Sequence, residues 1–201
     1  MITAAFDTSV GLAIAVAEDD EVILQHSTRQ TSGRRANDMA DWLLKNLTDA
    51  RIRPAEITRW TVGTGPGSFV GLRCGMALIK GICTQSAAQV RGLPSSLAVA
   101  LTPEDNELPA DCNRVAVLND ARQGEVILTV YEGKDRQYTP IGEAEVKAPE
   151  ELEALLNENT AFVSIHADIL ADRLTPGVQE RLIPVEDLAV AQLIAPQGFP
   201  W

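Results

Sequence analysis

The sequence predicts an α/β protein, and three observations lead there. The chain opens on three short β-prone runs in succession, and near Ala36 the hydrophobic period lengthens from two to between three and four. Strand-like and helix-like runs then alternate along much of the remaining chain. Such alternation is what a sheet with crossover helices requires. The opening runs are Thr3 to Phe6, Leu12 to Ala17 and Glu21 to His26, with Glu18-Asp19-Asp20 as the hairpin turn between the second and third.

Ala36, Met39, Ala40, Leu43, Leu44 and Leu47 recur at helical spacing and form one face of a helix of about three turns. Pro54 ends anything helical before the strand-like Arg59 to Gly63, which runs into the turn Gly63-Thr64-Gly65-Pro66-Gly67. Ser68 then stands as N-cap of a long apolar helix from Phe69 to about Ser86. Gln89 to Gly92 reads as a further strand and Ser95 to Leu101 as a short helix. Beyond residue 112, strands are expected over Arg114 to Asn119, Glu125 to Tyr131, Ile141 to Lys147 and Ala161 to Ile165, with a helix start at Pro149.

At 201 residues the chain is long enough for one large domain or two small lobes. Charge argues for two. Residues 1–100 hold 10 basic and 9 acidic side chains, whereas residues 101–201 hold 7 and 19. The stretch Thr102 to Cys112, with two prolines and four acids, falls where the balance changes. We therefore expect a first lobe over 1–102 and a smaller acidic lobe over 103–201. A net charge of −11 repels a polyanion, so contact with nucleic acid is expected to be indirect. Three cysteines without metal-ligand or paired spacing, and no long apolar run, imply a cytoplasmic protein with no membrane segment.

Gly65 to Arg73 (GPGSFVGLR) is the stretch richest in chemistry. A strand, a glycine turn and a helix start can offer backbone N–H groups to an anion, although no lysine follows as in a Walker loop. Asp7, Thr8, Gly65, Gly67 and Ser68 are thus candidates for holding a nucleotide or other anion; a tight turn with no ligand is the equal alternative. Asp120, after another strand, is the one carboxylate that could join Asp7. The two histidines, His26 and His166, supply neither a metal site nor the base of a serine triad, and no catalytic residue is assigned.

Gly71 and Gly75 lie four apart inside the long helix, each costing about 1 kcal/mol against alanine. Close approach of another helix or a strand is the expected compensation. Because this helix is apolar nearly all round, it is expected to be covered on two sides, its own sheet on one and a partner on the other.

Ile2 to Ser9 (ITAAFDTS), GPGSFVGLR, Arg91 to Leu97 (RGLPSSL) and Asp120 to Val126 (DARQGEV) stand in the order seen in the bacterial TsaB (YeaZ) family, which the chain resembles over most of residues 1–130. The resemblance implies a two-lobed actin-like ATPase (ASKHA) fold with RNase-H-like lobes. It implies participation in making threonylcarbamoyladenosine in tRNA by docking on a TsaD-like catalytic subunit, with a TsaE-like ATPase joining; separately, a homodimer is expected when the chain is alone, because the apolar helix face needs covering. The implied interface is Ala36, Met39, Ala40, Leu43 and Leu47 with Phe69, Gly71, Leu72, Gly75, Met76 and Ile79; Asp120, Arg122 and Glu125 form a second-lobe motif. The glycine pair on the adenine side of active relatives is replaced here by Phe162-Val-Ser-Ile-His-Ala-Asp168. No cofactor is firmly implied, with ATP or ADP at a subunit interface the one candidate.

Three functions are therefore weighed. A non-catalytic activator of the tRNA-modifying complex explains the surplus of apolar helix. An ATPase or phosphotransferase using Asp7 and Asp120 is the alternative. A peptidase comes last, because no nucleophile and base pair up.

Overall fold

The computed structural model describes residues 1–28, 38–104, 107–109, 112–157 and 159–201, so Ala36 lies outside the described residues. β1 (Ile2–Asp7), β2 (Leu12–Glu18) and β3 (Glu21–Thr28) form an antiparallel meander. Asp19 and Asp20, at φ 48° and 73°, make the tight turn between β2 and β3, a conformation that aspartate tolerates better than most residues. β4 (Ile57–Gly63) lies parallel to β1, and β5 (Gln89–Leu93) parallel to β4, giving the order β3-β2-β1-β4-β5. The connections are α1 (Met39–Asp49) and α2 (Phe69–Ser86).

Strand alternation sorts the first sheet into two unlike faces. On one, Ala4, Phe6, Leu12, Ile14, Val16, Trp60 and Val62 form a core with Met39, Leu43 and Leu47 of α1 and with Ile79 and Cys83 of α2. Burial raises the Cys83 thiol pKa. The other face carries small side chains, Thr3, Ala5, Ala13, Ala15 and Ala17, all buried. A 3₁₀ turn at Val190–Leu193 packs on β1 and β2, with Val190, Leu193 and Ile194 buried.

The second sheet repeats the first. β6 (Arg114–Arg122), β7 (Glu125–Lys134) and β8 (Gln137–Lys147) are an antiparallel meander, and β9 (Thr160–Ser164) and β10 (Leu182–Pro184) run parallel to β6, in the order β10-β9-β6-β7-β8. In each sheet the first strand is central, two antiparallel strands lie to one side and two parallel strands to the other. The sequence shows no repeat because topology constrains where apolar side chains alternate, not which ones they are. The element expected from Pro149 is a 3₁₀ helix, Pro149–Asn157, and β8 begins four residues before the expected Ile141. The short helices α4 (Ala167–Leu170) and α5 (Pro176–Glu180) contribute Leu170 and Val178 to a core with Ala116, Leu118, Val126 and Phe162.

The chain divides into two compact units. One comprises residues 1–98, 189–196 and 201, and the other comprises 99–188 and 197–200. The expected boundary after residue 102 is thus corrected to lie within a short helix α3 (Ser95–Ala100), and residues 189–196 belong to the first unit, not the second. A single 3₁₀ turn is too short to carry a hydrophobic period, which is why its destination was illegible in the sequence. No helix among the described residues is long and apolar enough to cross a membrane.

Candidate functional site

Because β1, β4 and β5 are parallel, their carboxyl ends deliver three loops to one edge of the first sheet. Asp7 ends β1 with 1% of its surface exposed. Its Oδ1 accepts from the Ser9 backbone N–H at 2.7 Å and from Ser9 Oγ at 2.5 Å, and its Oδ2 accepts from Ser95 Oγ at 2.5 Å. Ser95 Oγ in turn accepts from the Gly65 N–H at 3.0 Å, while the Ser95 N–H donates to the Gly65 carbonyl at 2.8 Å. The Ser68 N–H donates to the Ser9 carbonyl at 2.8 Å. One carboxyl therefore fastens the ends of all three strands. Gly63 is required beside it, since a Cβ there would fall 1.6 Å from Asp7 Oδ2.

Burial raises the Asp7 pKa, opposed in order by the Ser9 hydroxyl, the Ser95 hydroxyl and the Ser9 amide. Several of the polar groups expected to hold a nucleotide or other anion are engaged within the chain. Both carboxylate oxygens are engaged, the Gly65 N–H is taken by Ser95, the Ser68 N–H by Ser9, and Ser68 Oγ caps α2 by accepting from the Gly71 N–H at 3.2 Å. Asp7, Thr8, Gly65, Gly67 and Ser68 are brought together as expected, but as an internal fastening. Ser95 is a site residue that the sequence alone does not single out; its one signal is the helix start Pro94-Ser95-Ser96 within RGLPSSL.

Thr8 faces α2. A Cβ on Gly75 would lie 2.7 Å from Thr8 Oγ1, and one on Gly71 would lie 2.7 Å from the Thr8 carbonyl. The two glycines therefore admit the turn after β1, in their own unit. Gly75, Ile79, Met39, Leu43 and Leu47 are buried and cannot meet a partner directly, which corrects their place in the expected interface. The periodic stripe is the core stripe, so the outward side chains are those off it. On α2 these are Phe69 (66% exposed), Val70 (60%) and Met76 (38%), and on α1 Leu44 (45%). Gly71, Leu72 and Ala40 are half-buried. The Arg73 guanidinium sits 3.8 Å from the Phe69 ring centroid. With Lys80 also exposed and no acid along its length, the outer side of α2 is apolar and cationic.

Asp120 lies in the second unit, at the carboxyl end of β6. Its Oδ1 accepts from the Arg122 N–H at 3.0 Å and from Arg173 Nη1 at 2.9 Å. Arg122 and Gln123 take left-handed φ of 68° and 52° in the turn before Gly124, and Glu125 opposite Arg122 is exposed. These contacts hold a hairpin. Among the described residues no group of three or more His, Cys, Asp or Glu side chains converges as a metal site.

Two units of one topology, each with an acid at or near the carboxyl end of its central strand, define an actin-like (ASKHA) protein built from two RNase-H-like lobes. Residues 29–178 match the family described as TsaD: tRNA N6-adenosine threonylcarbamoyltransferase. The chain is 27% identical over 138 residues to the tRNA threonylcarbamoyladenosine biosynthesis protein TsaB of Bacillus subtilis, a match spanning 67% of this chain and 57% of that one. In structure it is similar to YeaZ from Pseudomonas aeruginosa, with a TM-score of 0.72 at 19% identity over 96% of this chain and 88% of that chain. A second chain, described as an uncharacterized protein with similarity to peptidase YEAZ from the same organism, gives 0.74 at the same identity and coverage. The chain belongs to this family, on its TsaB (YeaZ) branch.

Proposed function

We propose that this chain is a non-catalytic subunit that supports threonylcarbamoyl transfer to tRNA by docking on a TsaD-type catalytic subunit through the outer face of α2. The observation that carries this reading is the exposure of Phe69, Val70 and Met76 on one helix whose opposite side is buried. A solvent-facing apolar stripe of this kind marks an interaction surface. The Asp7 loops argue against catalysis by this chain, since its best-placed carboxyl is 1% exposed and already accepts three hydrogen bonds from Ser9 and Ser95. In this reading a TsaE-type ATPase joins the same assembly in the cytoplasm, and ATP or ADP belongs at a subunit interface. The acidic chain meets tRNA only through its partner. Alone, it covers the α2 face with a second copy of itself.

The test is to purify the chain with the TsaD-type subunit of the same organism and assay threonylcarbamoyl transfer with and without it. Retention of the partner and dependence of the reaction on this chain are expected, with both lost in Phe69→Asp. A transfer rate that ignores the chain's presence would refute the reading.

A further inference from the structure

The inner side of α2 sets where that helix sits: Ile79 and Cys83, toward its carboxyl end, pack in the core of the first sheet, and Gly71 and Gly75, nearer its amino end, meet the turn after β1. Thr8 fills the hollow left by Gly71 and Gly75, with its carbonyl toward the first and its side chain toward the second. Ser9 holds the loop that leads into the helix, accepting from the Ser68 N–H at 2.8 Å one residue before Phe69. Asp7 holds Ser9 by two hydrogen bonds and reaches Ser95 with its other oxygen. The exposed residues Phe69, Val70, Arg73 and Met76 all lie in the first two and a half turns above this contact.

We infer that the turn Thr8-Ser9, clamped by Asp7 to Ser95, is a positioning seat for the docking face of α2; this role rests on the partner binding proposed above. The carboxyl end of the first sheet thereby acts on the partner through the height of a helix. Thr8 is β-branched and stiff at χ1, and it is 3% exposed, so a Cβ added at Gly75 cannot be absorbed by swinging the side chain into solvent. The helix must move instead. Removing the Thr8 branch leaves that added Cβ at 3.3 Å from the remaining Thr8 Cβ, a distance that a few tenths of an ångström relieve.

A compensating pair tests this. The affinity of the TsaD-type subunit is measured for wild type, Phe69→Asp, Gly75→Ala, Thr8→Ala and the double variant Gly75→Ala/Thr8→Ala, well below each chain's unfolding midpoint. Phe69→Asp should weaken binding about a hundredfold or more. Gly75→Ala, whose new methyl is buried, should weaken it about tenfold, and adding Thr8→Ala should restore it to within about threefold of wild type. Where Gly75→Ala does not fold, Ser95→Ala replaces it, with rescue by Ser95→Thr. If Phe69→Asp binds normally, the docking reading falls and this role with it. If Phe69→Asp loses binding while Gly75→Ala keeps it, or the double variant binds no better than the single, only the seat is overturned.

Discussion

The Arg91 guanidinium donates from Nη2 to the Ile194 carbonyl at 2.9 Å, across 103 positions of sequence. The same side chain donates from Nε to Thr61 Oγ1 at 3.0 Å, and its Cζ lies 4.2 Å from the centroid of the Trp201 ring, which also faces Arg59. Arg91 thus pins the returning segment to the strand pair β4 and β5. Hydrogen bonds from a charged donor contribute about 1.5–3 kcal/mol when a partner is removed. Arg91→Ala is expected to lower first-unit stability by that amount in urea unfolding. Arg91→Lys should recover only part of it, because an ammonium lacks the planar fork. Full recovery by lysine would assign the effect to charge alone.

Asp7 makes stability depend on pH in a definite direction. Its pKa in the fold is raised above its ordinary 3.8, so the unfolded chain gives up this proton first as pH rises. The contribution of Asp7 therefore falls from about pH 4 upward until the folded group also ionises. Asp7→Asn, which cannot ionise, should gain on wild type across that interval and be at least as stable at pH 7. Denaturant midpoints at pH 4 and pH 7 check this, and a gap between the two proteins that does not widen with pH would contradict it.

Two glycine substitutions should act in opposite directions. At Gly63 a methyl collides with Asp7 Oδ2 and lies 2.7 Å from Ser95 Oγ, so Gly63→Ala should cost more than about 3 kcal/mol or prevent folding. At Gly81, within α2, nothing lies within 4 Å of the added atom. Gly81→Ala should stabilise by about 1 kcal/mol through helix propensity. Thermal unfolding of the two variants beside wild type is sufficient, and equal effects would remove the distinction.

Thr129, on β7, is 7% exposed, and its Oγ1 lacks a hydrogen-bond partner among the described residues. Replacing an unsatisfied hydroxyl by a methyl of similar shape removes a desolvation cost of about 1–3 kcal/mol. Thr129→Val is accordingly expected to leave stability unchanged or raise it by up to about 1 kcal/mol. A clear loss in urea midpoint would reveal a partner for that hydroxyl.

The isolated chain should form a two-fold dimer over α2, since symmetric pairing is the commonest way to cover an apolar stripe. Light scattering is expected to give a dimer mass that Phe69→Asp reduces to a monomer. A mass that stays monomeric at every concentration would leave the stripe to the catalytic partner alone.

How far the sequence could be read depended on the length of each signal. The helix from Phe69 to Ser86 and its Ser68 cap were legible because eighteen residues and a cap leave little ambiguity. The meander β1 to β3 is legible from alternation to within one residue at each end, apart from the last two residues of β3. At Pro149–Asn157 the sequence does not separate an α-helix from the 3₁₀ helix found, because acids after a proline open both kinds of turn alike. At the site, Asp7, Gly65 and Ser68 were picked out, but the stripe Met39, Leu43, Leu47 was assigned to a partner when it faces the chain's own core.

The sequence by itself determined the α/β class, the charge imbalance between its halves and the motifs that mark the family, because these are properties of local order and composition. Only the tertiary structure decided that Asp7 is spent on Ser9 and Ser95, that Gly75 makes room for Thr8, and that residues 189–196 return to the first sheet. Each of these joins residues far apart along the chain or settles which side of a helix is covered. Periodicity records that one side is apolar; only the packed neighbours decide what that side meets.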